Sequence, residues 1–240
     1  VRWFAKNKPG VTAVYCRATS KDLYWGAVDH VNTFTIDGDY STVDLGAFNC
    51  RGYDVSALNN RARKAFPDYE IITPHPQENF SHMDFDFTPH PDNKYVLDRL
   101  LKYVTKELVV VAPRYRSGKY ESRNYKHWDK LNTRLWKKYH IYSAGVPEAS
   151  EVVSPLPLSD FVEGEASVVG LTIEALRRAR CCVGSQSAIP ILSNLIGTRT
   201  VMWGHEKQRH AVDENTAGTE CKFIESPNYD CKPEEIMQYV

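Results

Sequence analysis

The sequence predicts an α/β protein with a parallel sheet covered on both faces. Short apolar runs recur through the second half, the first of them rich in β-branched residues. They are Leu108 to Ala112 before Pro113, Tyr139 to Ser143 before Gly145, Cys181 to Val183 before Gly184, and Thr200 to Trp203 before Gly204. Between several of them stand stretches with apolar residues at helical spacing. Regular alternation of strand and helix leads to parallel strands joined by helical crossovers.

Composition narrows the function classes. A chain of 240 residues can bury a sizeable core, as one large domain or as two of about 120 residues each. Hydrophobic residues are 42% and charged residues 25%, ordinary values for a globular protein. The formal net charge is zero. Duplex-DNA and membrane-surface proteins carry a basic excess, so anion binding here must be local, and a nucleic-acid acceptor is disfavoured. No apolar run approaches the roughly 20 residues of a membrane span, and no signal peptide is visible. The cysteines Cys16, Cys50, Cys181, Cys182, Cys221 and Cys231 contain no CxxC pair. They read as reduced thiols of a cytoplasmic protein.

The first half reads as follows. Val1 to Gly10 resembles the end of a helix stopped by Pro9-Gly10, so either the chain is processed or the first element of this half is absent. Val11 to Cys16 and Val31 to Ile36 read as strands, with Asp22 in the loop between them. Asp54 is a candidate cap for a helix carrying Val55, Leu58, Ala62 and Ala65 on one face, and Pro67 stops it. Tyr69 to Ile72 is a short strand, Thr73 to Pro91 a Pro- and His-rich connection, and Asn93 to Val104 a helix. The domain boundary is placed after that helix, giving domains 1–104 and 105–240.

In the second half, the strand Leu108 to Ala112 leads into a cationic loop with Arg114, Arg116, Lys119, Arg123 and Lys126. A helix then starts near Trp128, with Trp128, Leu131, Leu135 and Trp136 as its stripe. Strand, cationic loop and helix N-terminus together favour an anion, because free N–H groups and the helix dipole add to the side-chain charge. Glu148 to Gly164 is loop-like. Thr172 is a possible cap for a helix over Leu171 to Ala179, and Ser187 caps the helix carrying Ala188, Ile191, Leu192 and Leu195. Lys222 to Ile224 is a last strand and Pro233 to Val240 a last helix. Ligands of open α/β sheets sit beyond the carboxyl ends of strands. Three such ends qualify: the cationic loop, the turn Gly184 to Ser187, and Gly204-His205-Glu206.

Other chemistries find little support. His205 and His210 are five apart, so they do not share a helix face as a zincin site requires. His75, His82, Asp84, Asp86 and His90 carry metal-capable side chains at no recognisable metal-ligand spacing, and no metal site is expected. Neither a Gly-x-Ser-x-Gly elbow nor a Walker loop occurs.

Arg123-Asn124-Tyr125-Lys126-His127-Trp128 resembles the Arg-x-x-Lys-His-Trp segment of bacterial heptosyltransferases. The stretch Leu171 to Ser187, followed by a helix and a strand ending in Trp203-Gly204, resembles the family's next landmark. The resemblance implies a GT-B-like architecture of two Rossmann-like domains facing a cleft, the N-terminal one here lacking its first strand. It implies metal-independent, inverting transfer of a sugar from a nucleoside diphosphate to the hydroxyl of a glycan or other acceptor, with no cofactor. Lys126 would contact the donor pyrophosphate with Arg123 and Ser122 nearby, Glu148 would meet the ribose, and Ser185, Gln186, Ser187 and His205 would line the donor turn. The family's Asp-x-Gly with a following His is replaced by Ser185, Ser187 and Pro190, so the donor sugar stays open. No catalytic base carries over, and Asp22 is a candidate by position alone. A sugar-nucleotide epimerase or hydrolase of the same fold, or a non-catalytic nucleotide-sugar-binding protein, are the alternatives.

Overall fold

The computed structural model describes residues 13–17, 30–34, 89–117, 121, 123–145, 157–205 and 220–240. The chain divides into two compact units, residues 1–88 and 89–240. In the first, β1 (Ala13–Arg17) and β2 (His30–Phe34) pair in parallel with Ala13 opposite His30. The expected helix after Asp54, the strand at 69–72, and Asp22 lie outside the described residues.

The second unit runs α1 (Pro91–Leu101), β3 (Leu108–Ala112), α2 (Trp128–Lys138), β4 (His140–Ser143), a 3-10 turn at Leu158–Phe161, and α3 (Val168–Arg178). It continues with β5 (Cys181–Ser185), α4 (Ala188–Ile196), β6 (Thr200–Gly204), β7 (Cys221–Glu225) and α5 (Pro233–Met237). Its five strands form one parallel sheet in the order β4-β3-β5-β6-β7.

Side chains alternate across the strands. Val109, Val111, Cys181, Val183 and Trp203 pack with Trp128, Leu131 and Leu135 of α2 and with Ile236 of α5 on one face. Leu108, Val110, Tyr142 and Cys182 pack with Val96 and Leu97 of α1 and with Leu171, Ala175 and Leu176 of α3 on the other. Every residue of β3, β5 and β6 is buried, as expected for central strands covered on both sides, which read as unbroken rather than alternating runs.

Helix α1 packs within the second unit. The Ser167 N–H donates to buried Asn93 Oδ1 at 2.9 Å, and Arg178 pairs with Asp98 across the two helices. A Cβ on Gly170 would lie 2.4 Å from Asn93 Oδ1, so the close approach of α1 to α3 uses the missing side chain. The division falls ahead of this helix, between residues 88 and 89, whereas the expected boundary lay behind it at 104 and 105. Periodicity finds an amphipathic helix but not the sheet its stripe packs on.

Two local expectations are corrected. Helix α3 starts at Val168, capped by Ser167, whose side chain accepts from the Gly170 N–H. Thr172 instead donates to the Val168 carbonyl at 2.7 Å, inside the helix. Trp136 is 41% exposed, so the buried stripe of α2 is Trp128, Leu131 and Leu135.

His140 opens β4 at the sheet edge. Burial lowers its pKa from the ordinary value, and nearby Lys106 adds to the effect. The unfolded chain protonates at about pH 6.5, the folded chain only at lower pH. Between those two values the unfolded state binds more protons, so this contribution to stability is complete above the unfolded pKa and is lost as pH falls through the folded one. We expect the melting temperature to drop between about pH 7 and about pH 5. In calorimetry the His140→Gln variant should lose less than the parent over that range.

Candidate functional site

Counted from β3, the strands of the larger sheet stand in the spatial order two-one-three-four-five. The chain moves to one side of β3 to form β4 and to the other side from β5 onward. Loops leaving the carboxyl ends of β3 and β5 therefore part, and the crevice between them is where open α/β sheets hold ligands. The two segments at this position are the cationic loop and the turn Ser185 to Ser187. Ala112 stands opposite Gly184. A Cβ on Gly184 would come within 2.8 Å of both Ala112 Cβ and Pro190 Cγ, so glycine lets β3, β5 and α4 meet this closely.

The turn is held from several sides. The Gln186 N–H donates to the Trp203 carbonyl at 2.7 Å, and the Gln186 carbonyl accepts from Arg114 Nη1 at 2.9 Å. The Gln186 side chain lies over Gly204, where a Cβ would stand 2.4 Å from Gln186 Oε1. Gln186, expected among the donor contacts, is thus built into the turn. Ser187 occupies the N-cap position of α4, but its hydroxyl donates to the Ser185 carbonyl at 3.0 Å and makes no cap bond. The Ser187 carbonyl accepts from the Ile191 N–H at 3.3 Å, but the first turn of α4 receives no side-chain bond from its cap residue, which leaves the helix dipole and the N–H groups of Ala188 and Ile189 for an anion. Ser185 is buried, and its Oγ has no hydrogen-bond partner among the described residues.

The cationic loop rests on aromatic rings. Tyr125 is buried and packs edge-on against Trp128, with ring centroids 5.4 Å apart, and tilted against Trp203 at 4.7 Å. Burial is the main cause raising the Tyr125 phenol pKa, so it stays neutral. Asn124 closes the loop on itself, accepting from the Arg116 N–H at 2.8 Å and donating to the Arg116 carbonyl at 2.7 Å. Lys126 is exposed between buried Tyr125 and half-buried His127, Arg123 is half-buried, and Arg116 is exposed. His127 Nε2 lies 2.7 Å from Asp230 Oδ1, in the segment after β7.

Of the expected site residues, Lys126 and Arg123 belong to the loop after β3, Ser185 ends β5, Gln186 and Ser187 follow it, and His205 is exposed just after β6. Asp22, Ser122 and Glu148 lie outside the described residues. So do His75, His82, Asp84 and Asp86, while His90 Nδ1 accepts from the Asp92 N–H at 3.3 Å at the start of α1. Among the described residues no cluster of three or more His, Cys, Asp or Glu is placed to hold a metal, and no helix is long and apolar enough to cross a membrane. Sequence reasoning missed the Arg114 contact to the turn and missed Asp230. Arg114 follows Pro113 at the strand end, which is a signal of sorts, while Asp230 stands in no recognisable pattern.

No protein-family model matches the chain, and no curated protein sequence does. Solved structures do resemble it. The ADP-heptose lps heptosyltransferase II of E. coli aligns over 99% of this chain and 91% of its own, at 10% identity and a TM-score of 0.57. The glycosyl transferase family 9 protein of Veillonella parvula aligns over 95% of this chain and 86% of its own, at 9% identity and a TM-score of 0.56. At such identities the likeness is one of fold, and that fold is the one found in heptosyltransferase-like glycosyltransferases.

Proposed function

We propose that this chain is a GT-B-type glycosyltransferase. It would move a sugar from a nucleoside diphosphate to an acceptor hydroxyl, without a metal and with inversion at the anomeric carbon. The observation that carries this reading is the switch point between β3 and β5, where exposed Lys126 belongs to one loop and the uncapped N-terminus of α4 follows the other. Fold similarity that extends over nearly the whole chain supports it.

The chemistry follows from charge. The acceptor oxygen attacks the anomeric carbon as the bond to the diphosphate breaks, and negative charge grows on the leaving group. Lys126, with Arg123 beside it, and the α4 N-terminus stabilise that charge, usually the largest catalytic contribution. The Ser185 hydroxyl would offer a hydrogen bond that the described residues leave unused. Ser122 and His205 would add polar contacts to the donor, and Glu148 would hold the ribose. The acceptor and the base that takes its proton are assigned to residues 1–88, with Asp22 the candidate base. Those residues would form the second Rossmann-like domain.

A panel of nucleoside diphosphates and their sugars, followed by thermal shift, tests the class. A ligand at 100 times its Kd raises stability by about 2.7 kcal/mol. Lys126→Ala should weaken nucleotide-sugar binding by about 1.5–3 kcal/mol, roughly 10- to 150-fold by calorimetry, with the melting temperature unchanged. Trp128→Ala should instead lower stability by ~3–5 kcal/mol through lost packing. Parent-like binding by Lys126→Ala would remove the diphosphate site from this loop.

Gly204→Ala should push the Gln186 side chain off β6 at a cost of about 1–3 kcal/mol. It should also weaken nucleotide binding through the displaced turn. Retained affinity in a destabilised variant would separate the turn from the ligand.

Because side chains and a helix dipole would neutralise the diphosphate, EDTA should leave transfer unchanged. Loss of activity restored by Mn²⁺ would contradict the metal-independent mechanism.

A further inference from the structure

We propose that Asp230 is a positioning residue for Lys126, acting through His127. The inference deepens the reading of Lys126 as the diphosphate contact and rests on it.

Lys126 is flanked by two restrained side chains. On one side Tyr125 is buried against Trp128 and Trp203. On the other, His127 Nε2 sits 2.7 Å from Asp230 Oδ1, and the His127 ring meets Tyr125 edge-on with centroids 5.6 Å apart. The backbone of the exposed lysine is therefore held from the core and from the segment after β7 at once.

Asp230 is itself held by the sheet. The Ser226 N–H donates to the Gly204 carbonyl at 2.8 Å, and the Asp230 N–H donates to Ser226 Oγ at 2.8 Å. Between them Tyr229, buried in the core, has φ 56°, the positive value among the described non-glycine residues. Left-handed backbone is unfavourable for a residue with a side chain, and such residues persist where the surroundings over-determine them. The result is a run of contacts from Gly204, at the end of β6, to His127, in the loop after β3.

The sign of the effect makes the role testable. A carboxylate one residue from a diphosphate contact repels the ligand by charge alone. If Asp230 were only a nearby charge, removing it would tighten nucleotide binding. If it positions Lys126, removing it weakens binding despite the relieved repulsion.

The experiment compares the parent, Asp230→Asn, Asp230→Glu, Lys126→Ala and the Asp230→Asn/Lys126→Ala double variant. ADP is the probe in calorimetry, and amide hydrogen exchange is followed across residues 123–127. Asp230→Asn should speed exchange in that segment with the core of α2 unchanged. It should reduce ADP affinity by about two- to fivefold, the range of a single partly exposed polar contact. Asp230→Glu should restore part of that loss, and Asp230→Asn should cost nothing further once Lys126 is alanine. Unchanged exchange in Asp230→Asn overturns the proposal with no ligand involved. ADP affinity equal to or tighter than the parent's in Asp230→Asn, with Lys126→Ala weakened, overturns it while leaving the donor site in place. If Lys126→Ala binds ADP as the parent does, the donor-site reading fails and takes this proposal with it.

Discussion

The close approach of β3 and β5 at their carboxyl ends governs what can be built above them. Ala112 and Gly184 are register partners, and the space a side chain would need at residue 184 is already filled by Ala112 and Pro190. A larger residue there would spread the strands or lift α4. Either movement would carry the Gln186 carbonyl away from Arg114, which holds it at 2.9 Å. That bond joins the two loops of the switch point, and a hydrogen bond from a charged donor is worth about 1.5–3 kcal/mol. One methyl-sized gap therefore decides whether the cationic loop and the turn after β5 stand together.

The second support is aromatic. Tyr125, Trp128 and Trp203 form a buried cluster directly beneath the loop, with ring centroids 4.7 to 5.6 Å apart. Packed rings stabilise through area and through edge geometry. The Tyr125 hydroxyl and the indole N–H groups of Trp128 and Trp203 are buried without a partner among the described residues, which costs free energy that the packing must offset. The gain is a rigid floor. A cation held over it loses less freedom when it engages a ligand, which is how preorganised sites reduce the cost of binding.

Much of the larger sheet was legible because its strands are buried on both faces. Unbroken runs such as Leu108 to Ala112, closed by Pro113 or by glycine, leave few readings other than a central parallel strand, and strand order then places their ends side by side. The turn after β5 was found for a similar reason, since small residues ahead of an apolar helix mark a helix N-terminus. What failed was whatever depended on partners distant in sequence. Helix α1 showed its stripe but not its sheet, and Thr172 showed a capping side chain but not that Ser167 was better placed. Trp136 fitted the helical spacing, yet it lies at the margin of the stripe and faces outward. The place of the Gln186 side chain over Gly204, eighteen positions on, likewise left no mark in the local sequence. Asp230 was invisible, since an acidic residue in a turn carries no mark of the histidine it meets.

Counting cations in the loop overstates the donors a ligand would meet. Arg114 keeps its charge but directs Nη1 to the Gln186 carbonyl, and His127 Nε2 is turned to Asp230 Oδ1. In a chain of zero net charge, no long-range field compensates, and charges beyond about 8 Å are screened at physiological salt. Affinity for an anion then depends on where Lys126 and the leading N–H groups of α4 point, not on how many basic residues lie nearby. Loop geometry becomes the controlling variable, and that geometry is set by two contacts: Arg114 on the turn and Asp230 on His127. A site of this kind trades gross electrostatic attraction for alignment. Alignment is what stabilisation of a leaving diphosphate requires, because only donors already aimed at the developing charge act without reorganisation.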